Sequence, residues 1–582
     1  MQLVRTLPHL NSRARSDLRD LAIAIAGSVL SFFLASVLMT GWPAGIRPNV
    51  DYPYIYAGDG LFQFWLSQRA VEGWIFENAR NGFPFGSSFL DFPGSDAGNL
   101  LILKILGTIS GSNFSGNNLY LLLGFSASFA TSFLVLRKID IRESVACMGA
   151  LLFAFLPYHF ARLLMGHLFY TWYFAIPVYF YAGYRIFNYT KDIAIKRWAL
   201  LAGVLLILSC FGVYFAFFGV VVIFFCILAG LIRHRSLRGA TIGLFLCVSI
   251  CVGVFANVYP NLRNTQVNGK NPEVAQRSPI ESEVYALKLV HLLLPYQQHR
   301  IQVFREFTQN YNKIFPLSNT VSAIGIVGLA GLGLLVTTFF ASAAGRHVDP
   351  RLRILTLLTF MLLSLATVGG LNVLFALLIS PMLRGWDRIS IFIAFFSLAA
   401  ACIGVDHLLN RMQAKTATAI GILLCLVTIG ILDQTAKPSY NFALSSKARF
   451  FLDKKFIAEI ENSLPKNSAV YQIPYVAFPE AGNLHLLGGY DLLVGFLHSK
   501  SLRWSSGAMQ GREADAFYKK LSKKPMSDQI AVAKSMGFSG IYIDGRGYQD
   551  NAIAVVAEVS GIVGHPPSLK RDDGTVYFFK FD

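Results

Sequence analysis

Charge is the scarcest ingredient of this 582-residue sequence: Asp, Glu, Lys and Arg together make 14% of it, against about a quarter in an ordinary soluble chain. With 54% hydrophobic residues and a mean hydropathy of +0.49, the shortage excludes a wholly soluble globular protein, and most of the chain must face lipid. Paired cysteines are lacking too. Cys147, Cys210, Cys226, Cys247, Cys251, Cys402 and Cys425 lie in or at the edge of apolar stretches, with no Cys-x-x-Cys pair. That excludes a disulfide framework and a zinc site of the usual spacing. No internal repeat, low-complexity tract or lipidation signal stands out. The net charge is +18, but Lys and Arg fall in short clusters between apolar runs, the signature of membrane topology, and no nucleic-acid partner is expected.

Those clusters are Arg137/Lys138/Arg142, Lys191/Lys196/Arg197, Arg233/Arg235/Arg238, Arg346/Arg351/Arg353 and Arg411/Lys415. Each ends an apolar run, and the positive-inside rule makes all of them cytoplasmic. The spans that alternate between them are roughly 21–42, 118–136, 145–161, 168–187, 198–212, 213–231, 240–257, 319–343, 353–369, 388–409 and 416–433, about eleven crossings that place the N-terminus inside and the C-terminus outside. The first run follows a basic head with Arg5, Arg13, Arg15 and Arg19 and ends without a small-residue cleavage pattern, so an uncleaved anchor is expected. Residues 198–231 read as two spans with a slight polar break at Ser209–Tyr214, or as one long tilted helix. Two apolar pieces, 99–109 and 371–383, are shorter than the ~20 residues a crossing needs. They are expected to be re-entrant or interfacial.

The resulting fold class is an all-α polytopic membrane domain over 1–435, with outer loops at 43–117 and 258–318, and a soluble extracytoplasmic α/β domain over 436–582. In the latter, 456–464 and 529–536 have helical periodicity, while 468–473, 540–543 and 576–581 read as strands.

Three polar regions share the outer face. The first loop carries Gly58-Asp59-Gly60 followed by Phe62, Phe64, Trp65 and Trp74, then Asn81-Gly-Phe-Pro-Phe-Gly86 and Asp91-Phe-Pro-Gly-Ser-Asp96. Glycines beside Asp59 allow close backbone approach, and its carboxylate can act as a base on an acceptor hydroxyl. Asp91 and Asp96 can hold an acceptor or a divalent cation, Mg or Mn, through oxygen ligands. The alternative is helix capping by Asp59 and Asp96 beneath an interfacial aromatic belt. A second outer turn holds His159, Arg162 and His167, where an arginine flanked by imidazoles suits a phosphate, or else Arg162 snorkels to headgroups. In the 258–318 loop, His291, His299 and Arg300 are candidates, and Val284–Leu294 reads as an amphipathic interfacial helix. Finally Arg384 and Arg388 flank Asp387 at an outer helix mouth, against the positive-inside pattern, which points to an anionic partner, partly Asp387 itself.

Gly58-Asp59-Gly60-Leu61-Phe62-Gln63-Phe64-Trp65, with Asn81–Gly86 and Asp91-Phe92-Pro93 as its continuation, resembles the C-type (GT-C) polytopic membrane glycosyltransferases, in an uncharacterised bacterial branch. The resemblance covers roughly residues 20–435. It implies sugar transfer from a polyprenyl-phosphate-linked donor to a glycan or lipid acceptor at the outer face of the bacterial cytoplasmic membrane. Asp59 is then the candidate base, and Arg162, His159, His167, Arg384 and Arg388 candidate donor-phosphate ligands. No adjacent Asp-Asp or Asp-x-Asp pair follows the first span and no Trp-Trp-Asp occurs in the tail, departures that set metal dependence and protein glycosylation in doubt. A polyprenyl-linked sugar or lipid flippase and a non-catalytic envelope-assembly protein are the competing readings.

Overall fold

The computed structural model describes residues 12–94, 96–190, 194–314, 322–436 and 440–582; Arg5 and Lys191 of the basic clusters lie outside them. The body is built from helices α1 (Ser12–Thr40), α2 (Asp59–Glu72), α3 (Ala97–Ser110), α4 (Asn113–Lys138), α5 (Glu143–Ala154), α6 (Pro157–Leu164), α7 (Ala175–Phe187), α8 (Ile195–Leu208), α9 (Val213–His234) and α10 (Leu237–Asn268). After these come α11 (Glu281–Val284), α12 (Leu289–Leu293), α13 (Gln302–Ile314), α14 (Gly325–Ala343), α15 (Pro350–Ala366), α16 (Leu371–Leu378), α17 (Ser390–Arg411) and α18 (Thr416–Gln434). Among the described residues, eight helical segments, with α5 and α6 counted together as one (Glu143–Leu164), are long and apolar enough to cross a membrane, which makes this a multi-pass membrane protein. They take up eight of the eleven expected runs. The other three, 168–187, 198–212 and 353–369, form α7, α8 and α15, of 13, 14 and 17 residues.

Residues 198–231 form two helices. The chain turns at Ser209–Gly212, where Gly212 takes φ +112°, a region closed to most side chains. The two short apolar pieces are helices of 14 and 8 residues, α3 and α16. The amphipathic helix expected at 284–294 is not there. Leu287 leaves the helical path to donate its N–H to the Ala366 carbonyl at 2.8 Å, which separates α11 from α12. The strongly two-faced helix is α13, whose Val303, Phe304 and Phe307 are exposed beside polar Gln302, Arg305 and Glu306, the pattern of a helix lying in a membrane interface.

After α19 (Tyr440–Ser463), the chain forms β3 (Ala469–Ile473), α20 (Val494–His498), β4 (Arg503–Trp504), α21 (Glu513–Leu521), α22 (Met526–Ser535), β5 (Phe538–Asp544), α23 (Ile553–Val563), β6 (Leu569–Lys570) and β7 (Val576–Lys580); β1 (Glu77–Asn78) and β2 (Ser87–Ser88) pair within the first loop. The five-stranded sheet runs β4-β3-β5-β7-β6, parallel in its first three strands and antiparallel in the rest. Side chains alternate across a strand, and here both faces are apolar. Val470, Tyr542, Val576 and Phe578 join the core that runs through the membrane body. Tyr471, Ile541, Ile543, Tyr577 and Phe579 form a separate core with Tyr518, Ile530 and Val559 of α21, α22 and α23. At about 1.5–3 kcal/mol for each large buried side chain, the body-facing set ties the sheet firmly to the helices.

The first loop also pairs with this sheet. Trp504 donates its N–H to the Arg80 carbonyl at 2.8 Å, Phe83 donates to the Trp504 carbonyl at 3.1 Å, and Gly82 to the Ser506 carbonyl at 2.9 Å. Residues 80–83 thereby cover the β4 edge, which would otherwise present unpaired donors and acceptors. Gly82 is required, since a Cβ there would stand 2.5 Å from the Gly86 carbonyl oxygen.

Candidate functional site

The apolar spacing of Leu61, Phe62, Trp65 and Leu66 buries one face of α2, and Arg69 anchors the loop beyond that helix. Its guanidinium lies 4.3 Å from the Trp65 ring centroid and donates to the carbonyls of Ile75 and Ser87, each at 2.9 Å. The end of α2 that carries Asp59 meets the turn after α6 at two glycines. A Cβ on Gly166, which has φ +74°, would stand 2.2 Å from the Gly60 nitrogen, so only glycine lets the turn come this close.

That approach sets His167 against Asp59, with Nε2 and Oδ2 2.9 Å apart. The other ring nitrogen, Nδ1, lies 3.3 Å from an Arg162 guanidinium nitrogen. A guanidinium can only donate, so Nδ1 accepts, and Nε2 carries the proton and donates it to Asp59. Burial, followed by the nearby Arg162 and Arg388 charges, pulls the His167 pKa down against the opposing pull of Asp59, which keeps the ring neutral. Arg162 in turn donates to Asp387 Oδ2 at 3.0 Å, and this pair is 0% and 3% exposed. The result is a chain of four side chains, Asp59, His167, Arg162 and Asp387, drawn from α2, the turn after α6, α6 itself and the mouth of α17. Asp59 is the first residue of α2 and gives no side-chain cap; its carboxylate is 47% exposed.

Beside this chain lies a cavity of about 810 Å³. Its charged end holds His167, Arg388, Arg384 and Asp96, and its long wall is made by Val213, Phe217, Val220, Ile250, Val254 and Phe255 of α9 and α10. Arg388 donates to the Tyr170 hydroxyl at 2.8 Å, and its guanidinium carbon lies 4.0 Å from the ring centroids of both Tyr170 and Tyr214. Arg388 Nε has no hydrogen-bond partner, and among the described residues no carboxylate pairs with this arginine. Arg384, by contrast, is held by Glu281 at 2.5 Å. The C-terminal segment reaches the cavity and packs on the first loop. Glu480 lines it and pairs with Arg277 at 2.6 Å, while Tyr490 stacks on Phe62 with centroids 5.1 Å apart.

The other residues singled out in the sequence lie elsewhere. His159 is fully buried, stacked on Phe125 at 3.6 Å between centroids, with neither ring nitrogen bonded; it does not line the cavity. His299 and Arg300 bind Asp433 at 3.3 Å and Thr435 at 3.0 Å, tying their loop to the end of α18. His291 packs edge-on to Tyr311.

Asp91 faces Arg512, which reaches its two oxygens at 2.7 and 2.5 Å, with Asn264 at 3.0 Å and Asn271 at 3.3 Å also donating. Burial raises its pKa, but these bonds outweigh it and hold the carboxyl below its usual range. Asp96 precedes α3 without capping it. Asn99 stands 3.4 Å away, and burial pushes its carboxyl up to about 6 against the opposing effects of Asn99 and Arg388.

A divalent cation does not fit this donor set. A guanidinium covers both oxygens of Asp91, and among the described residues no three His, Cys, Asp or Glu side chains converge. Tyr170, Tyr214 and Glu480 were not singled out in the sequence; no spacing marks them.

No protein-family model matches the chain, and no curated protein matches it. Among solved structures it is similar to ArnT from Cupriavidus metallidurans, bound to undecaprenyl phosphate, with 11% identity over 96% of this chain and 97% of that one and a TM-score of 0.49. It is also similar to the arabinofuranosyltransferase AftD from Mycobacteria, with 14% identity over 91% of this chain, 35% of that one and a TM-score of 0.49. The Archaeoglobus fulgidus oligosaccharyltransferase, crystallised with Zn and sulfate, is similar over 94% of this chain and 70% of its own, with 13% identity and a TM-score of 0.40. All three are GT-C glycosyltransferases. TM-scores below 0.5 leave the functional reading to rest on the site's own geometry.

Proposed function

We propose that the protein transfers a sugar from a polyprenyl-phosphate-linked donor to a glycan or lipid acceptor at the outer face of the bacterial cytoplasmic membrane. The observation that carries this reading is the cavity, which joins a long apolar wall on α9 and α10 to a half-buried guanidinium that, among the described residues, is in no ion pair. An isoprenoid chain suits the wall, and a phosphate suits Arg388. The charge rule puts this end of the helices outside and the N-terminus in the cytoplasm.

In the reaction, Asp59 takes the proton of the acceptor hydroxyl, whose oxygen attacks the anomeric carbon from the face opposite the phosphate. The bond from that carbon to the phosphate oxygen breaks, its electron pair stays on the phosphate, and Arg388 meets the added charge. His167 occupies Asp59 Oδ2 and leaves Oδ1 for the acceptor. Arg162, committed to Asp387, serves to orient His167, while Asp91 and residues 80–83 fasten the C-terminal segment, which positions the acceptor.

The test is reconstitution with polyprenyl-phosphate sugars. Asp59→Asn, correctly folded, is expected to lower product formation by about 10²–10⁴-fold. Full activity in this variant would refute the assignment, and donor-lipid movement across the bilayer that survives it, without product, would favour a flippase.

A further inference from the structure

A second large cavity, of about 900 Å³, opens at the other end of the helices, where the start of α1, the end of α4, α7, α8 and α17 come together. The 26 residues of α4 separate its two ends by about 39 Å at 1.5 Å per residue, so this cavity and the one at Arg388 face opposite leaflets. Most of its charges are already neutralised: Arg137 by Asp20 at 3.0 Å, Lys138 by Asp17 at 2.8 Å and Arg142 by Asp406 at 3.1 Å. Asp140 also lines the cavity; Arg351 bonds its backbone carbonyl at 3.0 Å, and among the described residues its carboxylate is in no ion pair.

Two lining arginines are left over. Arg185 donates to the Tyr181 hydroxyl at 3.1 Å, and among the described residues neither it nor Arg197 pairs with a carboxylate. Trp198, next to Arg197, is 3% exposed and also lines the cavity, yet its indole N–H has no acceptor. A buried donor without a partner is costly. Around these three donors, Leu200, Leu201 and Val204 of α8 provide an apolar flank.

From this we infer a binding site for the phosphodiester headgroup of an anionic membrane lipid. Arg185 and Arg197 would take the phosphate and the Trp198 N–H one of its oxygens, with an acyl chain along α8. Basic pockets between membrane helices on the cytoplasmic side commonly hold such headgroups, and the charge rule puts this end there. The site is separate from the sugar-transfer reading and does not depend on it.

Quenching of tryptophan fluorescence by lipids with brominated chains tests it on the full-length protein in vesicles. Brominated phosphatidylglycerol is expected to quench a component that brominated phosphatidylcholine leaves untouched. That component should vanish in Trp198→Phe, and it should be lost in Arg185→Gln/Arg197→Gln while the thermal midpoint in phosphatidylcholine stays put. Because Arg197 is exposed, the single Arg197→Gln gives a second variant safe for folding, expected to weaken the lipid selectivity severalfold. Equal quenching by both lipids, or wild-type quenching in the double variant, would overturn the site. Relief of the quenching by millimolar inorganic phosphate would assign the same donors to a soluble phosphate and overturn the lipid.

Discussion

Arg162, fully buried, and Arg388, half-buried, are two arginines beside one cavity, and they are held in opposite ways. Arg162 is closed into a chain with Asp387 on one side and His167 on the other. Arg388 rests on two tyrosine rings and one hydroxyl, without a carboxylate. Burying a charge is tolerable only when something compensates it. Where the compensation is built in, the arginine serves the architecture; where it is partial, room is left for an anion. The same distinction separates Arg384, paired with Glu281, from Arg388 four residues later, although both looked alike as part of a basic helix mouth.

The comparison breaks most visibly in stability. Arg162→Gln leaves Asp387 buried without its partner, and thermal or denaturant unfolding is expected to show a loss of about 3–5 kcal/mol. Replacing both members with Leu should recover most of it. Arg388→Gln removes a charge that is in no ion pair among the described residues, so its unfolding midpoint should stay near that of the parent. Its donor-dependent turnover should instead fall by about 30–10³-fold, the equivalent of about 2–4 kcal/mol. If Arg388→Gln unfolds as Arg162→Gln does, the distinction fails.

A smaller effect sharpens it. With its carboxyl at about 6, Asp96 is neutral below that pH and charged above it, where its charge opposes an anion at Arg388. Donor affinity is expected to weaken by up to about tenfold as pH rises through 6, and a donor titration of Asp96→Asn should show that step flattened.

Legibility in the sequence obeys the same physics. Asp59, His167 and Arg388 stood out because ionisable groups next to membrane runs are expensive. Their order of importance did not, because the partners are remote: Asp387 is 225 residues from Arg162, and Arg512 is 421 from Asp91. No local pattern distinguishes a carboxylate awaiting a substrate from one awaiting an arginine of another segment. Tyr170 and Tyr214 were hidden for a different reason, since 24 tyrosines and 49 phenylalanines make any single ring uninformative. The helices were legible from hydropathy, and the strands at 468–473, 540–543 and 576–581 from alternation, because each answers to local burial. The break between α11 and α12 was not, since it depends on a carbonyl at Ala366.

The pairing of residues 80–83 with the β4 edge fixes an order of biogenesis. The first loop is made early, with the backbone groups of residues 80–83 unpaired, while its partner strand comes after the last membrane helix. The part of the cavity wall that Glu480 supplies therefore cannot exist until the chain beyond α18 has been made. A chain stalled before that point lacks both Glu480 at the cavity and the strand that residues 80–83 pair with, so the cavity is completed only after the last membrane helix has been made.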